Sequence, residues 1–409
     1  MKNRFLCLGL SVGILCCSPT ALAEESKEIA ELKEMVEQQQ STIKALAENL
    51  AAMEARQAEV AAAVEKMETA QDDLKDISWV KNVKVGGDFR YRHEWQDMNN
   101  RRGGDRNRQR IRARFNIDAK VNDEWDLGFR LATGGADPLS TNQTLDMGFS
   151  TKGINLDRAF FDWHPKTVPG LHVIGGKMAN PFYKPGKSKL IWDGDLNPEG
   201  IVINYKGDRG LFANVGGFYV EENSRDADTS LWAAQVGMDA DLCDAVSFIG
   251  GVSYYHYGNV ETRAPIFDPT DSFGNTTNFF GNYNEDYHLL EVFAELGTKI
   301  GDVPLKFYGD WVTNIAAAHG DASGWLAGMS LGKCKKPWSW EFKYDYRDVE
   351  RNAVVGAFTD SDFGGGGTGH AGHTAGAGLQ LSKNMKTSLT YCNTERGYEK
   401  VQADLNFKF

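Results

Sequence analysis

Two different rhythms divide this chain. From Ile29 the apolar residues recur with a period of seven. One seam position falls on Ile29, Val36, Ile43, Leu50, Gln57, Val64 and Gln71, the other on Leu32, Gln39, Leu46, Met53, Val60, Met67 and Leu74. Eleven of the fourteen are apolar, and no Pro or Gly interrupts the run. A sustained 3.5-residue repeat predicts a left-handed coiled coil over about Lys27 to Lys75, reaching roughly 70 Å at 1.5 Å per residue. One such helix cannot bury its seam alone, so the pattern predicts self-association. The three Gln layers could set its register, and the seam composition leaves dimer and trimer both open.

After Trp79 the period falls to two and stays there. Val83, Val85, Gly87, Phe89, Tyr91, His93 and Trp95 alternate with Lys84, Gly86, Asp88, Arg90, Arg92 and Glu94. Trp338, Trp340, Phe342, Tyr344 and Tyr346 alternate with Ser339, Glu341, Lys343, Asp345 and Arg347. Val401, Ala403, Leu405, Phe407 and Phe409 close the chain against Gln402, Asp404, Asn406 and Lys408. Alternation alone fits any half-buried antiparallel sheet. Here the apolar face carries Trp, Tyr and Phe toward the strand ends, among them Trp95, Trp125, Trp163, Trp232, Trp311, Trp325 and Trp338. That distribution predicts a membrane barrel with apolar residues toward lipid, aromatic girdles at both interfaces and a polar lumen.

The connections agree. Short polar links at 122–124, 207–209, 241–244, 301–303, 334–337 and 382–384 interleave with long ones such as 257–286 and 348–372. Short turns on one side and long loops on the other match the periplasmic and extracellular ends of an outer-membrane barrel. The count is about sixteen antiparallel strands, enough to leave an aqueous channel rather than a packed interior. The fold class expected is therefore an all-β transmembrane barrel preceded by an α-helical coiled coil.

The N-terminus supplies the compartment. Lys2 and Arg4 precede an apolar stretch from Phe5 to about Cys17, and Ala21-Leu22-Ala23 offers small residues just before Glu24. This is the pattern of a secretory signal, with an apolar core too short to span a membrane. The organisation expected is a signal peptide over 1–23, a periplasmic coiled coil over 24–80 and an outer-membrane barrel over 81–409. No apolar run of about 18 residues follows the signal, and mean hydropathy is −0.44. Hydropathy alone would therefore suggest a soluble secreted protein, a reading that the period-two pattern overrides. The mature chain keeps Cys243, Cys334 and Cys392, widely spaced and odd in number, so isolated thiols or at most one bridge are expected.

Charge sharpens the picture locally. Arg108, Arg110, Arg112 and Arg114 lie two apart, with apolar Ile111, Ala113, Phe115 and Ile117 between and beyond them, and Arg90 and Arg92 belong to the preceding strand. Residues two apart share a face at roughly 6.6–6.8 Å. Arg facing lipid would cost about 2–4 kcal/mol each at the midplane, so the row must face the lumen or lie above the membrane. Inside, it would form a basic wall that attracts anions. The alternatives are that its outer part binds lipid phosphates or that it pairs with loop carboxylates. The strand region as a whole is slightly acidic, 37 basic residues against 42, so any anion preference must be local.

Enzyme signatures are missing: there is no His-Glu-x-x-His and no Gly-x-Ser-x-Gly. No catalytic, metal or cofactor residues are expected, and no nucleic-acid partner. Gly364, Gly366 and Gly369 match a Gly-x-Gly-x-x-Gly spacing inside a glycine tract that opens no helix. That tract reads as a flexible loop, with His370 and His373 exposed on it.

The run Leu156–Trp163, then Gly175–Phe182, then Ile191–Gly200 resembles the putative porin family of Gram-negative outer membranes. The resemblance implies a porin barrel behind a signal peptide and a short coiled coil, diffusion of small hydrophilic solutes, and a trimer in outer-membrane lipid and lipopolysaccharide. Phe409, with Phe407, Leu405, Ala403 and Val401, resembles the C-terminal signal read by the barrel assembly machinery. The third long connection, Asn180 to Glu199, is by the same resemblance the loop that folds inward and narrows the pore. Its Lys184, Lys187, Lys189, Asp193, Asp195 and Glu199 are the constriction candidates, unless the segment is an ordinary external loop. A rival reading is a structural or adhesive barrel in which the coil is a periplasmic tether, contacting the cell wall.

Overall fold

The computed structural model describes residues 19–75, 78–98 and 105–409, in two compact units, Met1–Ser78 and Trp79–Phe409. Residues 1–18 of the expected signal segment lie outside the described residues.

The first unit is one helix, α1 (Pro19–Lys75), 57 residues long. Its start lies upstream of the expected Lys27. Uninterrupted helix formers sustain it, yet its seam is open: Ile43 is 66% and Met67 72% exposed, and Leu32, Leu46, Leu50, Met53 and Val60 are exposed with them. Among the described residues, no helix is long and apolar enough to cross a membrane.

A short 3-10 turn, Ser78–Asn82, runs across the boundary in sequence, and the second unit continues in strands. They are β1 (Val83–Met98), β2 (Arg106–Lys120), β3 (Trp125–Thr133), β4 (Gln143–Thr144), β5 (Ile154–Trp163), β6 (Leu171–Lys177), β7 (Glu199–Lys206) and β8 (Leu211–Glu221). Then come β9 (Thr229–Cys243), β10 (Val246–Gly258), β11 (Tyr287–Ile300), β12 (Val303–Asn314), β13 (Ser323–Gly332), β14 (Trp340–Val349), β15 (His370–Ser382), β16 (Met385–Thr394) and β17 (Tyr398–Lys408). Each long strand pairs antiparallel with its neighbours, and β1 pairs with both β2 and β17, so the sheet closes on itself. The two-residue β4 only extends the edge of β2 beyond β3. Sixteen full strands form the cylinder, as the sequence pattern predicts.

The orientation of the two faces is plain in β11. Leu290, Val292, Ala294 and Leu296 point outward and are exposed, while Leu289, Glu291, Phe293 and Glu295 point inward and are buried. A soluble sheet would turn the apolar row inward; this one presents it to hydrocarbon. Aromatic belts sit at both rims. Trp125 and Trp163 are cross-strand partners near the short turns, with rings 6.0 Å apart, and Trp311 faces Trp325 near the long loops. Closure also satisfies every strand edge, which hydrocarbon demands because it offers no hydrogen bonds.

Two long loops fill part of the interior. Residues 178–198, between β6 and β7, turn inward as the resemblance implies. Met178, Phe182, Leu190, Ile191, Trp192 and Leu196 are buried in one apolar cluster with Val202, Phe218, Leu231, Tyr255, Tyr257 and Leu289 of the wall. The glycine tract between β14 and β15 departs from expectation. Residues 350–369 are not a flexible external loop: Ala353, Val354, Val355, Ala357 and Phe363 are buried. Room for the loop comes from small inward residues behind it. Thr374 of β15 and Thr390 and Cys392 of β16 line the same small pocket as Asp360 and Phe363 of the loop. Gly364, Gly365, Gly366, Gly367 and Gly369 all take positive φ, a conformation that side-chained residues rarely adopt. At Gly367 a Cβ would also stand 2.3 Å from the Phe273 carbonyl. Glycine therefore serves here to fold the loop tightly rather than to loosen it. His370 and His373 belong to β15 and not to a loop, and His373 Nδ1 lies 2.8 Å from the Tyr344 hydroxyl. Cys243, Cys334 and Cys392 are free thiols.

Candidate functional site

The two inward loops are joined. Asp193 N donates to Phe358 O at 2.7 Å, and Thr359 Oγ1 donates to Leu190 O at 2.8 Å. Ser361 gives Asp193 Oδ2 both its backbone N–H and its hydroxyl, at 2.9 and 3.0 Å, and Lys189 Nζ reaches Asp360 at 2.8 Å. Each loop is also tied to the wall. Glu295 of β11 accepts from Tyr183 OH at 3.0 Å, from Gly186 N at 2.8 Å and from Lys306. Asn275, in the long loop before β11, donates to Arg351 O and Val354 O and accepts from Gly356 N. Asn197 accepts from Arg158 and donates to Asp157, which in turn holds Arg130.

Between these loops and the wall lies a cavity of about 730 Å³. Arg90, Arg92, Arg108, Arg110, Arg112 and Arg114 all line it, as do Lys187, Lys189, Asp193 and Asp195 of the first loop. Further lining charges, which the sequence reading did not single out, are Lys343, Asp345 and Arg347 on β14, Lys400 on β17, and Asp360 and Asp362 on the second loop. Their signal was the polar face of the last strands, where Lys343, Asp345, Arg347 and Gln402 had been placed, but nothing in the chain order joins those strands to β1. The loop aspartates were hidden in a segment assigned to solvent.

The arginine row is built from like charges set directly opposite each other: Arg90 faces Arg112 and Arg92 faces Arg110 across β1 and β2. Such pairs destabilise a sheet, so carboxylates have been placed among them. Arg92 grips Asp404 with two bonds, at 2.6 and 2.8 Å. Asp88 accepts from Arg112 and Arg114, both at 2.8 Å, and Glu94 holds Arg108 and lies 3.8 Å from Arg110. Compensation is incomplete: Nε of Arg90, Arg110 and Arg112 finds no partner among the described residues.

The candidates of the first loop separate into distinct roles. Lys187 lines the cavity. Asp195 lies 3.4 Å from Arg114. Asp193 is buried and serves the junction between the loops. Lys184 is a correction: its ammonium group donates to the carbonyls of Trp192 and Asp193 within its own loop, and it does not line the cavity. Glu199 is a second. It opens β7 on the outward face with Ile201 and Ile203 and pairs with Lys177 at 2.6 Å. The physical reason is parity: the strand begins at Glu199, and a period of two then puts its side chain on the side opposite buried Val202. On the second loop, burial alone would raise the Asp362 carboxyl, but Lys400, Lys189 and Arg92 hold it well below the usual carboxylate range. It carries its negative charge at any neutral pH.

A closed cylinder with lipid-facing apolar residues and a charged, water-accessible lumen defines a transmembrane channel. The family model described as "Putative porin" matches residues 98–285 and 275–409, and the chain belongs to that family. It is an outer-membrane porin, in a family of channels rather than enzymes. Solved structures resemble it distantly. A triple mutant of the Rhodopseudomonas blastica porin is 13% identical, with a TM-score of 0.49, over 80% of this chain and 100% of that one. A loop-deleted OmpT, an outer-membrane protein of Vibrio cholerae, is 12% identical, with a TM-score of 0.49, over 80% and 99%. Neither likeness carries a substrate or an assembly. The comparison with curated proteins found no match.

Proposed function

We propose that this porin is a passive, water-filled path for small hydrophilic solutes and ions, with a preference for anions. The observation that carries the preference is the make-up of the cavity between the inward loops and the wall: eleven basic side chains line it against six acidic ones. Asp88, Glu94 and Asp404 stand among the guanidinium groups and reduce the excess without removing it. Carboxylates of the loops opposite a basic wall give a transverse field, which favours small dipolar solutes over bulky apolar ones. Purified protein in planar bilayers should give ohmic single-channel steps, with a reversal potential in a salt gradient that reports anion preference. The rival structural or adhesive barrel requires no conductance, and its absence from well-folded protein would decide for that rival.

The N-terminal residues 1–23 act in this reading as a cleaved export signal, and residues 24–80 as a periplasmic coiled coil. The exposed seam of α1 supports self-association, and the family resemblance favours a trimer, with Phe409 as the mark read by the assembly machinery. Contact of the coil with the cell wall is the further element of the proposal. Removing residues 27–75 should leave single-channel conductance unchanged while abolishing chemical crosslinking through the N-terminal region and loosening envelope attachment. Unchanged crosslinking and attachment would dismiss the tether.

A further inference from the structure

The second inward loop does more than narrow the lumen. Asp137, in the loop after β3, also lines the cavity. Of the four carboxylates that the two inward loops bring to it, Asp193 is 3% exposed, Asp360 8% and Asp195 17%, whereas Asp362 is 33% exposed. Asp193 and Asp360 are taken up by the junction with the first loop. Asp362 instead reaches the basic wall: its carboxylate accepts from Lys400 Nζ at 2.6 Å and Gln402 Nε2 at 2.9 Å, and lies 3.7 Å from Arg92 Nη1 and from Lys189 Nζ. Each of those cations also has a second acid within reach. Arg92 keeps Asp404, Lys400 keeps Glu94 at 3.6 Å, and Lys189 keeps Asp360. Each cation therefore keeps a carboxylate partner when the Asp362 charge is removed.

We propose that Asp362 is a selectivity-determining residue of the pore, a fixed negative charge carried by the second loop that limits how strongly the arginine wall draws anions. The proposal rests on the channel reading above. Its physical content is simple. An ion passing about 4 Å from a unit charge in water-like surroundings feels about 1 kcal/mol, so removing that charge changes its partition by roughly fivefold.

The test is reversal potential in a potassium chloride gradient, measured on the full-length protein and on Asp362→Asn, Asp362→Ser and Asp362→Glu, each checked for heat-modifiable migration as a sign of a closed barrel. The two neutral variants should raise the anion-to-cation permeability ratio by at least about fivefold, because anion and cation shift in opposite directions, and Asp362→Glu should stay at the parent value. Equal ratios in the parent and in both neutral variants would overturn the assignment while leaving the channel intact. So would a shift of the same size in Asp362→Glu, which would mean that loop shape and not charge is felt. Failure of the parent protein to conduct would instead remove the channel reading itself.

Discussion

Replacing Arg110, Arg112 and Arg114 together by serine is expected to reverse the ion preference of the pore. The change removes three of the eleven basic groups around the cavity and uncovers two acids at once. Asp88 loses both of its partners, and Asp195 loses its 3.4 Å neighbour. What remains on that side is Arg90, Arg92 and Arg108 beside the two uncovered acids. Each charge is worth about 1 kcal/mol to an ion at 4 Å in water, and at 0.1 M salt screening takes effect only over about 10 Å. The permeability ratio should consequently move by roughly tenfold or more toward cations. Folding should survive, because the variant also relieves the like-charge pairs Arg90–Arg112 and Arg92–Arg110. The measurement is again reversal potential, read beside heat-modifiable mobility; an unchanged preference in a closed barrel would show that the row does not govern permeation.

Removing Phe409 should sharply reduce the amount of closed barrel. This residue makes the last stitch of the cylinder: Gly87 N donates to its carbonyl at 3.0 Å, and its own N–H donates to Gly87 O at 3.1 Å. Its ring packs edge-on against Phe115 with centroids 5.7 Å apart, beside the Phe89–Phe407 pair. An aromatic pair contributes about 0.5–1.5 kcal/mol and a backbone hydrogen bond about 1 kcal/mol. The loss therefore approaches about 3 kcal/mol, before any effect on recognition by assembly factors. A companion change tests the packing alone. In Gly87→Ala the new Cβ would stand 2.6 Å from the Phe409 ring and 2.3 Å from the Arg114 carbonyl, so β1 must shift away from both neighbours. Outer-membrane abundance and heat-modifiable migration should fall in both variants. Wild-type levels in both would mean that the β1–β17 junction contributes little.

The reach of the sequence differs from element to element. The barrel was legible because a lipid-facing sheet leaves a period-two record in every strand, and because Trp residues gather where strands end. The arginine row was legible for a related reason: lipid forbids a guanidinium group, so parity alone sends Arg90, Arg92, Arg108, Arg110, Arg112 and Arg114 inward. Glu199 was misassigned for a different reason: it was counted with the loop that precedes it, whereas it is the first residue of β7 and takes that strand's outward face. The second loop was misread for another reason. Glycine-rich composition records conformational freedom but not whether the fold uses it, and residues 364–369 use it to pack.

Sequence alone determined the coiled-coil repeat, the sixteen-strand cylinder with its greasy exterior, and the basic face of β1 and β2. These depend on short-range periodicity and on the solvent that each face must meet, and both are written locally. The tertiary structure alone decided what the basic face confronts. Asp362 reaches Lys400, Lys189 is clasped by Asp360, and Asn275 holds the loop that carries both aspartates, across separations of 38, 171 and 76 residues or more. Such pairings arise only when closure brings β17 beside β1 and two loops fold into one lumen. No local pattern encodes that meeting, because each partner taken alone is an ordinary polar residue on a strand or loop.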